Sequence, residues 1–290
     1  MYSNIKELLI LTEKENKSLS EIILLNEIEL SERNKEEILD DMWLRYEVMV
    51  NSANKALFES ADSEGNLIAG IASNHYNYIK KSESICGSLI NMAMARALSC
   101  SEVNASMGKI CAMPTAGSCG IVPAVIISVA EEKNKTKEEI LKALLVSSGI
   151  GAVITKNATV SGAEGGCQAE CGVAAAMAAA GAVELYGGTP QMAAEACGLA
   201  LINVMGLICD PIGGLVQIPC AQRNASQAVN ALLSADLALA GMKCRIPTDE
   251  IIEAMYRVGK KLPMELRETA LGGIAATKTG KMLGNFCDKY

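Results

Sequence analysis

Three of the eleven cysteines in this 290-residue chain stand in local sequence that suits metal chemistry. Cys167 lies in Ser161-Gly-Ala-Glu-Gly-Gly-Cys167-Gln-Ala-Glu-Cys171-Gly, Cys209 opens Cys209-Asp-Pro-Ile-Gly-Gly, and Cys220 follows Pro219 in Gln-Ile-Pro-Cys220-Ala-Gln-Arg223-Asn. Glycine or proline close to each puts all three at predicted helix ends. A loop can aim a thiolate there, whereas a helix interior fixes its direction. Cys100, Cys197 and Cys244 read instead as packed thiols within helices. No Cys-x2-Cys run occurs, so neither a bacterial ferredoxin pattern nor a zinc ribbon is supported. By residue type alone Cys119 and Cys171 are equally eligible as ligands, and buried thiols without metal are the bland alternative. Cys287, close to the end of the chain, reads as a thiol of a frayed tail.

Candidates for proton transfer are few. His75 is the single histidine, and its position after a Gly- and Ser-rich stretch reads as a helix start or a surface residue. The base must then be a lysine, tyrosine, carboxylate or thiolate, or come from a partner. Lys109 and Lys156 are candidates, because a lysine in an apolar pocket has its pKa lowered into the useful range. Asn104-Ala-Ser106-Met-Gly-Lys109 and the loop Pro114-Thr115-Ala-Gly117-Ser118-Cys-Gly precede a predicted helix. Backbone amides at such a helix start suit a carboxylate or a phosphate, and a plain turn is the competing reading. The Gly-x4-Gly-Lys-[Ser/Thr] phosphate cradle is absent.

These segments also occur in a recognisable order. Lys109-Ile-Cys-Ala-Met-Pro114-Thr115-Ala-Gly117-Ser118-Cys-Gly-Ile-Val-Pro123, Gly-Gly-Cys167-Gln-Ala-Glu, Cys209-Asp-Pro 42 residues on and Pro-Cys220 after another 11 resemble the iron–sulfur L-serine dehydratases. The resemblance runs from about Asn91 to about Gly280, and it is to the α subunit of the two-subunit form. It implies that Cys167, Cys209 and Cys220 hold a [4Fe–4S] cluster, whose fourth iron is left open as a Lewis acid for the substrate hydroxyl. It also implies L-serine as substrate, converted to pyruvate and ammonia without pyridoxal phosphate, and a β subunit supplying the rest of the pocket. The substrate-binding set it suggests is Asn104, Ser106, Thr115, Gly117, Ser118 and Asn157. In some single-chain members the terminal cysteine reaches the open iron; three residues follow Cys287 here, which departs from that pattern. Related readings are a cluster-dependent L-cysteine desulfidase, a non-catalytic iron–sulfur subunit with a closed cluster, and a helical domain without metal.

Composition sets the frame that must position these groups. Apolar residues make up 50% of the chain, charged residues 20% and aromatics 3%, with a net charge of −7. The core must be built from Ala, Gly, Val, Ile, Leu and Met, and small side chains let helices approach closely. An acidic chain with no basic patch argues against nucleic acid. The first residues lack the basic start and apolar core of a signal peptide, and the longest apolar runs fall short of the ~20 residues of a membrane span. With many free cysteines this points to a reducing, cytoplasmic setting.

The fold reads as all-α, a compact bundle of buried small-residue helices with amphipathic helices at the N-terminus, forming one catalytic domain over 1–290. Within it, 1–60 are charged helices, 75–280 the catalytic core and 281–290 a tail. Ser18-Leu-Ser-Glu21, Asn34-Lys-Glu-Glu37 and Thr136-Lys-Glu-Glu139 are capping boxes. Helices are expected over 3–12, 18–30 and 35–57, then from Ser82 to Glu102, from Val122 to Glu132, and from Thr136 to about Ser148. Gly149–Thr155 fits a short strand or a buried helix equally well. Thr189-Pro190 caps another helix, one runs from Asn224 to near Gly241, and a last long one runs from Thr248 to Pro263.

Overall fold

The computed structural model describes residues 1–59, 65–81 and 83–287. It is all-α. Among the described residues thirteen α-helices follow one another: α1 Ile5–Glu15, α2 Leu19–Ser31, α3 Lys35–Phe58, α4 Ile71–Lys81, α5 Gly87–Ala105, α6 Ile121–Glu132, α7 Lys137–Asn157, the single turn α8 Gly162–Gly165, α9 Val173–Leu185, α10 Pro190–Ile202, α11 Cys220–Leu239, α12 Thr248–Lys261 and α13 Lys278–Cys287. Short 3-10 turns at Ile212–Gly214, Met264–Leu266 and Gly273–Ala276 join the later ones. No helix among the described residues is long and apolar enough to cross a membrane.

All three capping boxes form as their sequences predict: Ser18, Asn34 and Thr136 each accept from the N3 amide, and Glu21, Glu37 and Glu139 return a bond to the cap. Thr189 caps α10, with Pro190 at its first position. Side-chain oxygens thereby satisfy amides that the first turn leaves unpaired.

The bundle is organised around α9, Val-Ala-Ala-Ala-Met-Ala-Ala-Ala-Gly-Ala-Val-Glu-Leu, in which every residue except Glu184 is buried. Helices α6, α7, α10 and α11 pack against it. Alanine and glycine permit this crowding. A Cβ on Gly181 would lie 2.4 Å from Ser147 Oγ and 3.1 Å from the Ala143 carbonyl oxygen of α7. A second layer sets α5 against α11 and α3, and α4 against α5. The carboxylate of Glu102, fully buried in α5, accepts from the Gly70 amide at 2.8 Å and the Ala72 amide at 3.3 Å, holding the start of α4.

Several boundaries differ from the sequence expectation. Gly149–Thr155 is helix, because Gly149 and Gly151 let α7 run on against Ile23 and Met177. The helix expected from Asn224 starts one turn earlier, at Cys220. Helix α5 begins at Gly87 rather than Ser82, which lies outside the described residues. His75 sits in the middle of α4 and not at its start. Cys244 is not within a helix: it lies in the turn after α11, where its amide donates to Glu195 Oε2 and its thiol to the Glu195 carbonyl. Much of the expected tail is the helix α13, packed on the Ile212–Gly214 turn. The backbone of Cys287 ends that helix, and its side chain lies outside the described residues.

Candidate active site

The three singled-out cysteines come from three differently built segments. Cys167 follows Gly166, whose φ of +75° turns the chain from α8 into a π-turn over Gln168–Gly172 that feeds α9. That turn is pinned by Gln168, whose Nε2 donates to the carbonyls of Gly165 (2.9 Å) and Met255 (3.1 Å) and whose Oε1 accepts from the Gly206 amide at 2.8 Å. Cys209 lies in extended chain paired with Arg267: its amide donates to Leu266 O at 2.9 Å, and its carbonyl accepts from the Glu268 amide at 2.8 Å. Cys220 is the first residue of α11. All are buried, at 2%, 3% and 7% exposure, so solvent does not compete for their sulfurs.

The three thiols lie close enough to act electrostatically on one another. A hydrogen bond from Cys171, with the Arg223 guanidinium beside it, holds the Cys167 thiol below the usual thiol range despite burial. Burial pushes Cys209 well up, and Cys220 up to about 12, with the Cys167 sulfur adding in the same direction. Arg223 is fixed by two further bonds, from Nη1 to Ile208 O at 2.8 Å and from Nη2 to Asp210 Oδ1 at 2.7 Å. Asp210 Oδ2 in turn accepts from the Ile274 amide at 2.8 Å. A chain of bonds thus runs from the Gly273–Ala276 turn through Asp210 to Arg223, whose guanidinium acts electrostatically on Cys167.

The 114–120 loop meets the cysteines through Glu170 and Asn224. Thr115 Oγ1 donates to Glu170 Oε1, and Thr115 and Ser118 share a hydroxyl contact at 3.1 Å. Gly117 is bare where Glu170 crosses it, since a Cβ there would lie 2.5 Å from Oε1. Asn224 Nδ2 donates to Gly117 O (2.7 Å) and Cys220 O (2.8 Å), while its Oδ1 accepts from the Gly120 amide at 2.8 Å. Burial pushes the Glu170 carboxyl above the usual range; the Thr115 bond opposes this and Glu268 reinforces it. Gly162 marks where the parts meet: a Cβ on it would come within 3.0 Å of Cys209 Sγ and 3.2 Å of both Glu170 Oε2 and Glu268 Oε2.

Thr115, Gly117 and Ser118 are therefore brought to Cys167, Cys209 and Cys220. Other sequence candidates sit elsewhere. Lys109 is exposed and faces Asp41, Leu44 and Arg45 of α3. Lys156 is exposed at the end of α7, where its Nζ donates to Ser3 Oγ at 3.0 Å and the neighbouring Asn157 donates to Ser3 O at 2.7 Å. Asn104 is half-buried near the end of α5. Ser106 accepts from Asn66 at 3.0 Å, in a turn that Gln217 also holds through the Leu67 amide at 2.7 Å.

Glu170, Asp210, Arg223, Asn224 and Glu268 were not among the sequence candidates. One signal was present: in a stretch nearly without charge, an ionisable residue follows each cysteine within three positions, Glu170 after Cys167, Asp210 after Cys209 and Arg223 after Cys220. Cys119, eligible by residue type, is turned away, its thiol donating to the Cys100 carbonyl at 3.8 Å. Among the described residues no three Cys, His, Asp or Glu side chains converge as ligands of a single metal ion.

The family model described as "Serine dehydratase alpha chain" matches residues 14–275. The chain is 46% identical over 283 residues to the "Probable L-serine dehydratase, alpha chain" of Bacillus subtilis, covering 98% of this chain and 94% of that protein. It is 48% identical over 283 residues to the "L-serine dehydratase, alpha chain" of Peptoniphilus asaccharolyticus, covering 98% and 97%. With an "L-serine dehydratase" of Helicobacter pylori it shares 37% identity over 280 residues, 95% of this chain but 62% of that longer protein. With the match extending over the cysteine segments and the 114–120 loop alike, the chain belongs to the serine dehydratase alpha chain family.

Proposed function

We propose that the chain is the α subunit of an L-serine dehydratase, a lyase that converts L-serine to pyruvate and ammonia, and that Cys167, Cys209 and Cys220 hold a [4Fe–4S] cluster. The observation that carries the reading is the meeting of three buried thiols with the Thr115–Ser118 loop across Glu170. The donor set suits a cluster better than a single ion. A cluster takes one thiolate per iron, so its ligands need not converge on one point, and the three sulfurs here approach from three segments. When bound, a cluster held by three thiolates supplies an iron with an open position, a Lewis acid for a hydroxyl leaving group.

The chain's own residues bind and orient the substrate. The Thr115 and Ser118 hydroxyls and the loop amides receive the substrate beside the cysteines. Asn224 ties that loop to the start of α11, so that substrate and thiols keep one relative position. Arg223 places positive charge beside Cys167, and burial excludes water from the sulfurs. Transfer of the α-proton to a base and departure of the hydroxyl as water yield aminoacrylate, which tautomerises to the imine and is hydrolysed to pyruvate and ammonia without further help. Relatives named as an alpha chain support a separate β chain as the partner that completes the site.

The test is iron and acid-labile sulfide per chain after anaerobic purification and reconstitution. About four of each is expected, lost in Cys209→Ser, with pyruvate formed from L-serine when the partner chain is added. Metal-free protein that folds equally well as Cys209→Ser would overturn the cluster. Faster release of pyruvate from L-cysteine than from L-serine would reassign the substrate.

A further inference from the structure

Two carboxylates in the site are turned toward the same point. Glu170 Oε2 and Glu268 Oε2 each lie 3.2 Å from the position a Cβ would take on Gly162, and Cys209 Sγ lies 3.0 Å from it. Glu170 uses its other oxygen, Oε1, to accept from Thr115. Among the described residues neither Oε2 accepts a hydrogen bond or joins an ion pair; the nearest cation in the network, Arg223, is already bonded to Ile208 O and Asp210.

The backbone holds this arrangement in place. Glu268 sits in the left-handed region, at a φ of +63°, which a non-glycine residue adopts at a cost. Its amide donates to Cys209 O at 2.8 Å, and the preceding Leu266 carbonyl accepts from the Cys209 amide at 2.9 Å. The Glu268 carboxylate is thus delivered by the same pair of bonds that places Cys209. Glu170, only 7% exposed, is delivered by the π-turn that places Cys167. Like charges aimed at one spot repel, and a cation or a shared proton between them relieves the repulsion.

We propose that Glu170 and Glu268 form the pocket for the α-ammonium group of the amino-acid substrate. The inference rests on the L-serine dehydratase reading above and deepens it. A primary ammonium has three donors and no acceptor. The two carboxylate oxygens satisfy two of them with charge-assisted bonds. With the ammonium anchored there, the hydroxyl-bearing carbon is turned toward the cysteines and the carboxylate toward the Thr115–Ser118 loop. The pocket recognises 2-amino acids over hydroxy acids of the same length, because without a cation the buried Glu170 and the half-buried Glu268 are left facing each other.

The experiment compares L-serine with 3-hydroxypropanoate, which is the same molecule with hydrogen in place of the ammonium. Both are measured on the anaerobically reconstituted enzyme with its partner chain, as KM for L-serine and as the inhibition constant of 3-hydroxypropanoate. In Glu268→Gln, KM for L-serine is expected to rise about 10- to 100-fold, the usual range for a lost charge-assisted bond. The inhibition constant of 3-hydroxypropanoate should stay within about threefold or improve, since removing one charge relieves the repulsion. Glu170→Gln should shift the same ratio. Glu268 is only half-buried, so its variant keeps the test open if Glu170→Gln fails to fold. Equal weakening of both ligands in Glu268→Gln, or an unchanged KM for L-serine, overturns the inference while normal turnover by the parent enzyme preserves the dehydratase reading. A parent enzyme that does not turn over L-serine overturns both.

Discussion

Asn224 Nδ2 donates to the Gly117 carbonyl at 2.7 Å, joining residues 107 positions apart and fastening the loop that carries Thr115 and Ser118 to the helix that begins at Cys220. The same side chain accepts from the Gly120 amide at 2.8 Å and donates to Cys220 O, and it is 1% exposed. Asn224→Ala leaves buried main-chain groups without partners and should cost about 2–4 kcal/mol in urea unfolding. Asn224→Asp keeps the acceptor for Gly120 but sets a carboxylate against two carbonyl oxygens, so it should be no better. Unfolding midpoints equal to that of the parent chain would remove Asn224 as the fastening.

The Arg223–Asp210 ion pair has one deeply buried partner: Asp210 is 2% exposed and Arg223 about one-sixth. Breaking such a pair strands a charge, whereas its net contribution against an apolar pair is small. Asp210→Ala should cost about 3 kcal/mol and free both Arg223 and the Ile274 amide. Hydrogen exchange should show the Gly273–Ala276 turn losing protection before α11 does.

Gly181 and Ser147 make a coupled pair in the α9–α7 contact. The Ser147 hydroxyl is buried and has no hydrogen-bond partner among the described residues. Ser147→Ala should therefore be neutral or stabilising by about 1 kcal/mol. Gly181→Ala, which sets a methyl 2.4 Å from that oxygen and 3.1 Å from the Ala143 carbonyl, should destabilise by about 1–3 kcal/mol. Combined, the two should cost less than their sum, because the serine oxygen is the nearest obstacle. Strict additivity in thermal unfolding would contradict the packing.

Asp249 caps a helix far away in sequence. Its Oδ1 accepts from the Ile5 amide at 2.8 Å and its Oδ2 from the Lys6 amide at 3.0 Å, so a carboxylate of α12 occupies the positive end of α1. Asp249→Ala should cost about 1 kcal/mol and act locally. Amide exchange in α1 should accelerate while α9 is unaffected.

Glu184 gives a pH dependence with a definite sign. Burial raises its carboxyl above the usual range, opposed by the bond from Ser20 Oγ at 3.0 Å. A carboxyl raised on folding binds its proton more tightly in the native state. Its contribution is most favourable below the unfolded pKa and is lost as pH rises through the folded one. Glu184→Gln keeps an acceptor for Ser20 and removes the charge. It should raise Tm by about 2 °C at neutral pH and make no difference at pH 4. A variant equally stabilised at both pH values would point to packing instead of charge.

What the sequence determined by itself was local. The caps at Ser18, Asn34, Thr136 and Thr189 were legible because capping joins residues three positions apart. The all-α class followed from small apolar residues without strand alternation, and the cysteine segments were legible from glycine and proline beside Cys167, Cys209 and Cys220. What only the tertiary structure decided was which distant groups share a site. The Gly149–Thr155 stretch is helix because Ile23 and Met177 close on its glycines, a contact that no local pattern encodes. Lys109 and Lys156 had the right chemistry beside the right motifs, yet helix direction carries Lys109 to α3 and Lys156 to Ser3. Glu170 and Glu268, nearly a hundred residues apart, face one glycine because Cys209 pairs with the Leu266–Glu268 segment. Spacing along a chain reports periodic local structure; a site assembled across helix ends depends on how the helices pack, and that depends on the whole core at once.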